Sequence, residues 1–241
     1  MKAAVKAPRA ALPPRAPARV PAPDSPVLVL DTGSPLSSLA VGGAGQCFGH
    51  RSFPLRRTAE ELLPQLRNLL KEAGLSFAEL GGVVALQGPG SFTGLRIGLA
   101  TALGFHQALG LPATAVGTLP VMAAWAIGES ESQVTVAVDA LRGDFFAQSF
   151  VRAAGGELLP LAEPRLYTAA ELLGSPGRLA GFGLKELLEK AGLEIPAGRL
   201  APEPPALAEQ AIPLLPRLEW DPAYLIQPIY FRPPAVTAPK A

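Results

Sequence analysis

Two aspartates stand where apolar runs end. Asp31 follows Val27-Leu28-Val29-Leu30 and opens Asp31-Thr32-Gly33-Ser34-Pro35; Asp139 follows the alternating run from Gln133 to Val138 and opens Asp139-Ala140-Leu141-Arg142-Gly143. One carboxylate at each of two strand ends, facing across a cleft, is a way to hold a metal–phosphate group. The same placement also serves plain turns, in which an Asp side chain bonds its own backbone. A third stretch, Gly88-Pro89-Gly90-Ser91-Phe92-Thr93-Gly94-Leu95-Arg96-Ile97-Gly98, joins the apolar run Val83-Val84-Ala85-Leu86 to a segment of small and apolar residues. Strand, glycine-rich turn and helix together aim backbone N–H groups at an anion. They equally let a second backbone come close. The stretch has no Gly-Lys-Ser/Thr of a P-loop and no Gly-x-Gly-x-x-Gly of a dinucleotide site. Ser91 lacks the Gly-x-Ser-x-Gly surroundings of a hydrolase nucleophile. Arg96, the only charge inside that helix, suits either an anion or a carboxylate of the fold. Gly181-Phe182-Gly183, ahead of a helix, adds a weak nucleotide signal, so Asp31, Gly33, Asp139, Gly181 and Gly183 form one candidate nucleotide site.

The elements that must position these residues follow from periodicity. Val27 to Leu30 reads as a central strand, Ser37 to Val41 begins a second, and Gly42-Gly43-Ala44-Gly45 turns into a third from Gln46 to Phe53. Thr58-Ala59-Glu60-Glu61 matches a capping box, and Leu62, Leu63, Leu66, Leu69, Leu70 and Ala73 continue as a helical stripe that Pro64 should bend or weaken in its first turns and Gly74 end. A second helix starts near Thr93 and stops at Leu109-Gly110-Leu111-Pro112. Its Gly94, Gly98, Ala100, Thr101, Ala102 and Gly104 require a close packing partner, because glycine inside a helix costs about 1 kcal/mol relative to alanine. Strands are expected at Ala113–Val116, Gln133–Val138 and Asp144–Phe150, and helices at Thr118–Ile127, Thr168–Leu173, Leu184–Ala191 and Ala206–Leu215. Two hairpin-rich α/β halves point to a two-lobed α/β architecture, divided at 27–112 and 113–227, with the last helix free to pack back on the first lobe.

Bulk properties narrow the function classes. The chain has 241 residues, 49% of them hydrophobic and 17% charged, with a formal net charge of +1. That is material for a sizeable core, and too little basic charge for gripping nucleic acid through phosphates as a main task. Residues 1–26, rich in Ala, Pro and basic side chains, read as a solvated tail without the apolar middle of a secretory signal. Residues 228–241 read as a second, extended tail. No apolar run reaches the ~18 residues of a membrane span. Cys47 is the single cysteine, which excludes an internal disulfide and fits a reducing cytoplasm; His50 and His106 are too few for a His-rich metal centre. No metal and no cofactor are expected.

The motif from Gly88 to Gly98 resembles the signature of the TsaB (YeaZ) family, a subunit of the bacterial machinery that makes N6-threonylcarbamoyladenosine in tRNA. Leu30-Asp31-Thr32-Gly33-Ser34, Leu62-Leu63-Pro64, Ala137 to Gly143 and Pro222-Ala223-Tyr224-Leu225 follow the same pattern in order, from about Val27 to Tyr224. The resemblance implies an actin/Hsp70/sugar-kinase-like (ASKHA) fold of mixed sheets flanked by helices, and kinship with the transferase TsaD. TsaD holds a metal with a His-x-x-x-His pair; here Arg56-Arg57-Thr58-Ala59-Glu60-Glu61 stands in that region without a histidine. The resemblance therefore implies a vestigial nucleotide site and a non-catalytic scaffold subunit, required with TsaD and the ATPase TsaE for modifying adenosine 37 of tRNAs that read ANN codons. It implies docking to TsaD through the first two helices, at Leu62, Leu66, Leu69, Leu70, Gly94, Ile97, Gly98 and Thr101, and a homodimer through the same surface in isolation. Transfer RNA is reached through the complex. The alternatives are an ATP-dependent ASKHA kinase or hydrolase using Asp31 and Asp139, or a peptidase acting on its partner.

Overall fold

In a computed structural model, which describes residues 19–128 and 131–230, the apolar runs of the first half pair into one sheet. β1 (Val27–Asp31), β2 (Leu36–Gly43) and β3 (Gln46–Pro54) form an antiparallel meander. β4 (Gly82–Leu86) and β5 (Ala113–Val116) extend it in parallel, in the order β3-β2-β1-β4-β5. β1 and β4 are buried on both faces, which is why they read as continuous apolar runs rather than alternating ones. The second sheet repeats the plan. β6 (Gln133–Asp139) and β7 (Asp144–Arg152) make the hairpin, β8 (Leu158–Pro160) and β9 (Arg165–Thr168) both pair with β7, and β10 (Arg178–Ala180) runs parallel to β6 on its other side.

Helices fill the spaces between and outside the sheets. α1 (Thr58–Glu72) and α2 (Phe92–Leu109) cover one face of the first sheet, where Leu28, Leu30, Leu39 and Val83 meet Leu66, Leu69, Leu95 and Leu99. α3 (Thr118–Ala126) and α6 (Leu207–Gln210) lie between the sheets, in a core shared by Val29 and Val84 of the first and Val134 and Val136 of the second. α4 (Ala169–Leu173) and α5 (Leu184–Lys190) cover the far face of the second sheet. Residues 1–18 of the expected basic tail and 231–241 of the expected C-terminal tail lie outside the described residues.

Two local expectations change. Thr58 does not cap α1: a 3-10 turn at Leu55–Arg57 runs straight into the helix, and the Thr58 hydroxyl bonds the Leu55 carbonyl at 2.6 Å and Ser37 Oγ at 2.7 Å. The free N–H groups that a cap would satisfy are not at Thr58, so Glu61 pairs with Arg57 and Gln65 instead. α1 continues through Pro64 to Glu72, and Gly74 follows with φ +69°. The expected helix over Ala206–Leu215 is only α6 followed by a 3-10 turn at Ile212–Arg217, since Pro213 and Pro216 lack the N–H groups that an α-helix needs. Capping does succeed at Ser91, whose hydroxyl accepts from Gly94 N–H at 3.3 Å, and at Gly110, which ends α2 with φ +65°.

Beyond α6 the chain returns to the first lobe. Ala208 N–H donates to Ser38 Oγ at 3.1 Å, and Thr114 Oγ1 donates to the Glu219 carbonyl at 2.7 Å. A 3-10 turn at Pro222–Ile226 packs on β5 and α2, and Ile229 N–H donates to the Gln87 carbonyl at 2.7 Å.

Candidate functional site

The glycine-rich motif and the Asp31 turn, far apart in sequence, form a single junction. Ser91 N–H donates to the Gly33 carbonyl at 2.8 Å, and Thr32 Oγ1 donates to the Gly94 carbonyl at 2.8 Å. A Cβ at Gly94 would overlap the Thr32 carbonyl oxygen, and one at Gly98 would overlap Thr32 Oγ1. These glycines let α2 lie directly on the β1–β2 turn; the packing partner that the small residues require is inside the same lobe. Gly94 and Gly98 are buried there and present nothing to another protein. Leu62, Leu66, Leu69 and Leu70 are likewise at most 3% exposed, turned onto the first sheet. As docking side chains these six expectations are corrected: a stripe that reads as apolar is taken first by the sheet beneath it. Ile97 and Thr101 are half-buried, on the same helix as exposed Ala100 and Gly104.

Asp31 is fully buried. Its Oδ1 accepts from Gly33 N–H at 3.1 Å and Ser34 N–H at 3.2 Å, while Oδ2 has no hydrogen-bond partner among the described residues. Burial pushes its pKa up from 3.8 to about 6, with the hydrogen bonds from Ser34 and Gly33 acting in the opposite direction. Asp139, in the second lobe, is half-buried, and its Oδ1 accepts from Leu141 N–H at 2.7 Å. Leu141 and Arg142 both hold positive φ, 65° and 61°, a conformation that costs roughly 1–2 kcal/mol for an ordinary side chain.

A cavity of about 1090 Å³ opens between the two turns. Phe92, Met122, Val138, Phe182 and Tyr230 supply its apolar lining. Ser34 and Thr118 also line it, 4% and 1% exposed, and their hydroxyls have no partner among the described residues. Arg96 pairs with no carboxylate among the described residues: its guanidinium lies 4.1 Å from the Phe92 ring centre, and Nε donates to Tyr230 Oη at 3.4 Å.

Of the five candidate nucleotide residues, Gly33 and Asp139 line the cavity and Asp31 is sealed beneath it. Phe182 reaches the lining between Gly181 and Gly183, which do not. A Cβ at Gly181 would overlap the Ala137 carbonyl, so that glycine serves contact with β6. Gly183 N–H, at the start of α5, donates to Glu203 Oε1 at 2.8 Å. Sequence reasoning missed Glu203, because no local spacing ties it to Gly183. It also missed the strain at Leu141 and Arg142: Asp144 N–H donates to the Leu141 carbonyl at 3.3 Å, so the tight turn is centred on Arg142-Gly143, where this hand favours Asn-Gly and the chain offers Arg-Gly after a left-handed Leu141.

Two lobes, each a sheet whose first strand has a hairpin on one side and a parallel strand on the other, around an interlobe cleft, define the actin/Hsp70/sugar-kinase class. Comparison with known proteins refines that class. The family model of TsaD, tRNA N6-adenosine threonylcarbamoyltransferase, matches residues 55–205. The tRNA threonylcarbamoyladenosine biosynthesis protein TsaB of Escherichia coli is 31% identical over 132 residues, 54% of this chain and 57% of that protein. An uncharacterized Mycobacterium tuberculosis protein is 31% identical over 166 residues, 66% of this chain and 77% of its own length. Among solved structures, YeaZ from Pseudomonas aeruginosa superposes with a TM-score of 0.64 at 26% identity, covering 80% of this chain and 91% of that one. The chain belongs to the TsaB/YeaZ family. It spans about half the length of the first curated relatives that it matches, 57% in one and 45% in another.

Proposed function

We propose that the chain acts in forming N6-threonylcarbamoyladenosine in tRNA as a non-catalytic docking subunit. Its partners are a TsaD-like transferase and a TsaE-like ATPase, and tRNA is met through the assembly. The observation that carries this reading is the state of the amides around the interlobe cleft. Gly33 and Ser34 N–H groups bond Asp31, Leu141 N–H bonds Asp139, and Gly183 N–H bonds Glu203. Donors that would cradle a nucleotide phosphate are capped by the chain's own carboxylates, whose charge also opposes an incoming anion. The docking face is the outward side of α2, with Ile97, Ala100, Thr101 and Gly104, and it takes in Leu63 of α1, which is 54% exposed. Small residues let two helices of a partner approach closely. A second copy of the chain fits the same face in isolation, and the assembly works in the cytoplasm.

Omitting each subunit in turn from a reconstituted reaction tests the reading. Modification should stop without this chain, and the chain alone should transfer nothing. Asp139→Ala should leave the reconstituted rate within about twofold. A loss as deep as omission of the chain would instead favour an ATP-binding ASKHA enzyme. That second reading draws support from the cavity volume and from the unpartnered Ser34 and Thr118 hydroxyls, and it requires nucleotide binding by the isolated chain.

A further inference from the structure

The β2–β3 hairpin is irregular at one place. Val41 pairs with Gly49 and Gly42 with Cys47, which leaves Phe48 as an extra residue in β3. In a regular strand, residues three apart point to opposite faces. The bulge resets that alternation and turns Cys47 and His50 to the same side. That side faces α6: Ala40, the partner of His50, belongs to the core around α6, and a side chain at Gly42, the partner of Cys47, would meet Ile212 just beyond α6.

From α6 comes Glu209, with Oε2 at 3.3 Å from His50 Nδ1. One ligand atom each from Cys47, His50 and Glu209 can be chosen so that all lie within 4.8 Å of one another. Metal bonds of about 2.0–2.1 Å to nitrogen and oxygen, in a tetrahedron, place those two atoms about 3.4 Å apart. The histidine–glutamate spacing therefore already matches one edge. Among the described residues Cys47 Sγ is engaged only with backbone carbonyls, Gly49 at 3.3 Å and Val41 at 3.8 Å, contacts weak enough to give up for a metal bond.

We propose that Cys47, His50 and Glu209 form a binding site for a divalent transition-metal ion, Zn2+ above all, with water in the fourth position. Thiolate, imidazole and carboxylate together suit a borderline-soft tetrahedral ion, and a three-residue set leaves one position open. As the sulfur–metal bond forms, the thiol proton passes to water. The ion would tie the edge hairpin of the first lobe to the segment returning from the second, remote from the interlobe cleft and from any transfer chemistry there.

Titration of the full chain with Zn2+ against a chromophoric chelator tests the site, with Co2+ as the spectroscopic probe. One ion should bind per chain, and bound Co2+ should show thiolate-to-metal charge-transfer absorption that Cys47→Ser abolishes. His50→Gln and Glu209→Gln should each weaken Zn2+ binding at least about tenfold, while His106→Gln leaves it unchanged. Melting curves recorded in excess chelator should coincide for all four variants, separating lost affinity from lost fold. The Co2+ spectrum of the unaltered chain decides without any variant: absence of the thiolate band overturns the site. So does Zn2+ affinity that survives replacement of all three residues together.

Discussion

The two lobes each carry an aspartate at the end of their first strand, followed by a tight turn, and the two turns have gone in opposite directions. In the first lobe, Asp31 is sealed, Thr32 lies under α2, and glycines at 94 and 98 allow contact that a single methyl group would block. In the second lobe, Asp139 stays at the cavity, and of three successive positions with glycine-like backbone the first two hold Leu141 and Arg142, both exposed to solvent, and the third holds Gly143. Glycine where space is short marks internal packing. Large side chains held in a glycine conformation, where space is open, mark strain that the lobe tolerates at its cleft. The glycine-rich motif is thus the more closely packed of the two constructions, and the hairpin of the second lobe is the more exposed to whatever enters the cavity.

Four measurements break or sharpen that contrast. The largest effect is expected from Gly94→Val, which drives a branched side chain into the Thr32 carbonyl. It should destabilise the fold by about 4 kcal/mol or more in urea denaturation. Gly98→Leu should act the same way, through Thr32 Oγ1, and a fully stable variant at both positions would erase the contrast. Next comes Asp31. Its folded carboxyl, at about 6 against 3.8, holds a proton more tightly than the unfolded one, so its contribution is complete below 3.8 and lost as pH rises through about 6. A shift of that size corresponds to about 3 kcal/mol at ~1.4 kcal/mol per unit. Asp31→Asn should flatten the pH dependence of stability between pH 4 and 6, and an unchanged slope would show that the carboxyl is not the sealed group described.

The third effect runs the other way. Replacing Arg142 by Asn, which with Gly143 gives the turn its favoured Asn-Gly pair, should stabilise the chain by about 1 kcal/mol, read from the same denaturation curves, because the turn then has residues suited to its backbone. Destabilisation would mean that the native arginine makes contacts outweighing the strain. The smallest effect on stability is expected at Ala100→Arg, on the outward side of α2, within about 0.5 kcal/mol of the parent. Its consequence should appear in a pull-down or titration with a TsaD-like subunit, where association should weaken at least about tenfold. Unimpaired association would move the docking face elsewhere.

The strands and most helices were legible because their signals are local. Buried central strands announce themselves as runs such as Val27–Leu30, and Ser91 and Gly110 frame α2 with a cap at each end. What escaped was the assignment of faces. Leu66 and Gly98 mark surfaces that need cover, but periodicity cannot say whether the cover is the next strand or another protein. The cleft was half legible. Asp139 and Gly33 do line it and Phe182 enters it from within the Gly181–Gly183 signal, whereas Tyr230 arrives from a distant segment without a motif of its own. The Thr58 cap failed for a related reason: a turn at Leu55–Arg57 supplied the helix start before Thr58 was reached.

The return of the chain to the first lobe bears on its birth at the ribosome. β6 to α5 form a continuous stretch of sequence, so the second lobe has all its strands in hand once synthesis has passed residue 190. The first lobe, begun earlier, still lacks Trp220 over Gly82, Leu225 in its core and the Ile229 bond to Gln87. A nascent chain stalled before residue 220 therefore carries a second lobe able to close and a first lobe with a bare flank. The half made first is the half that finishes last.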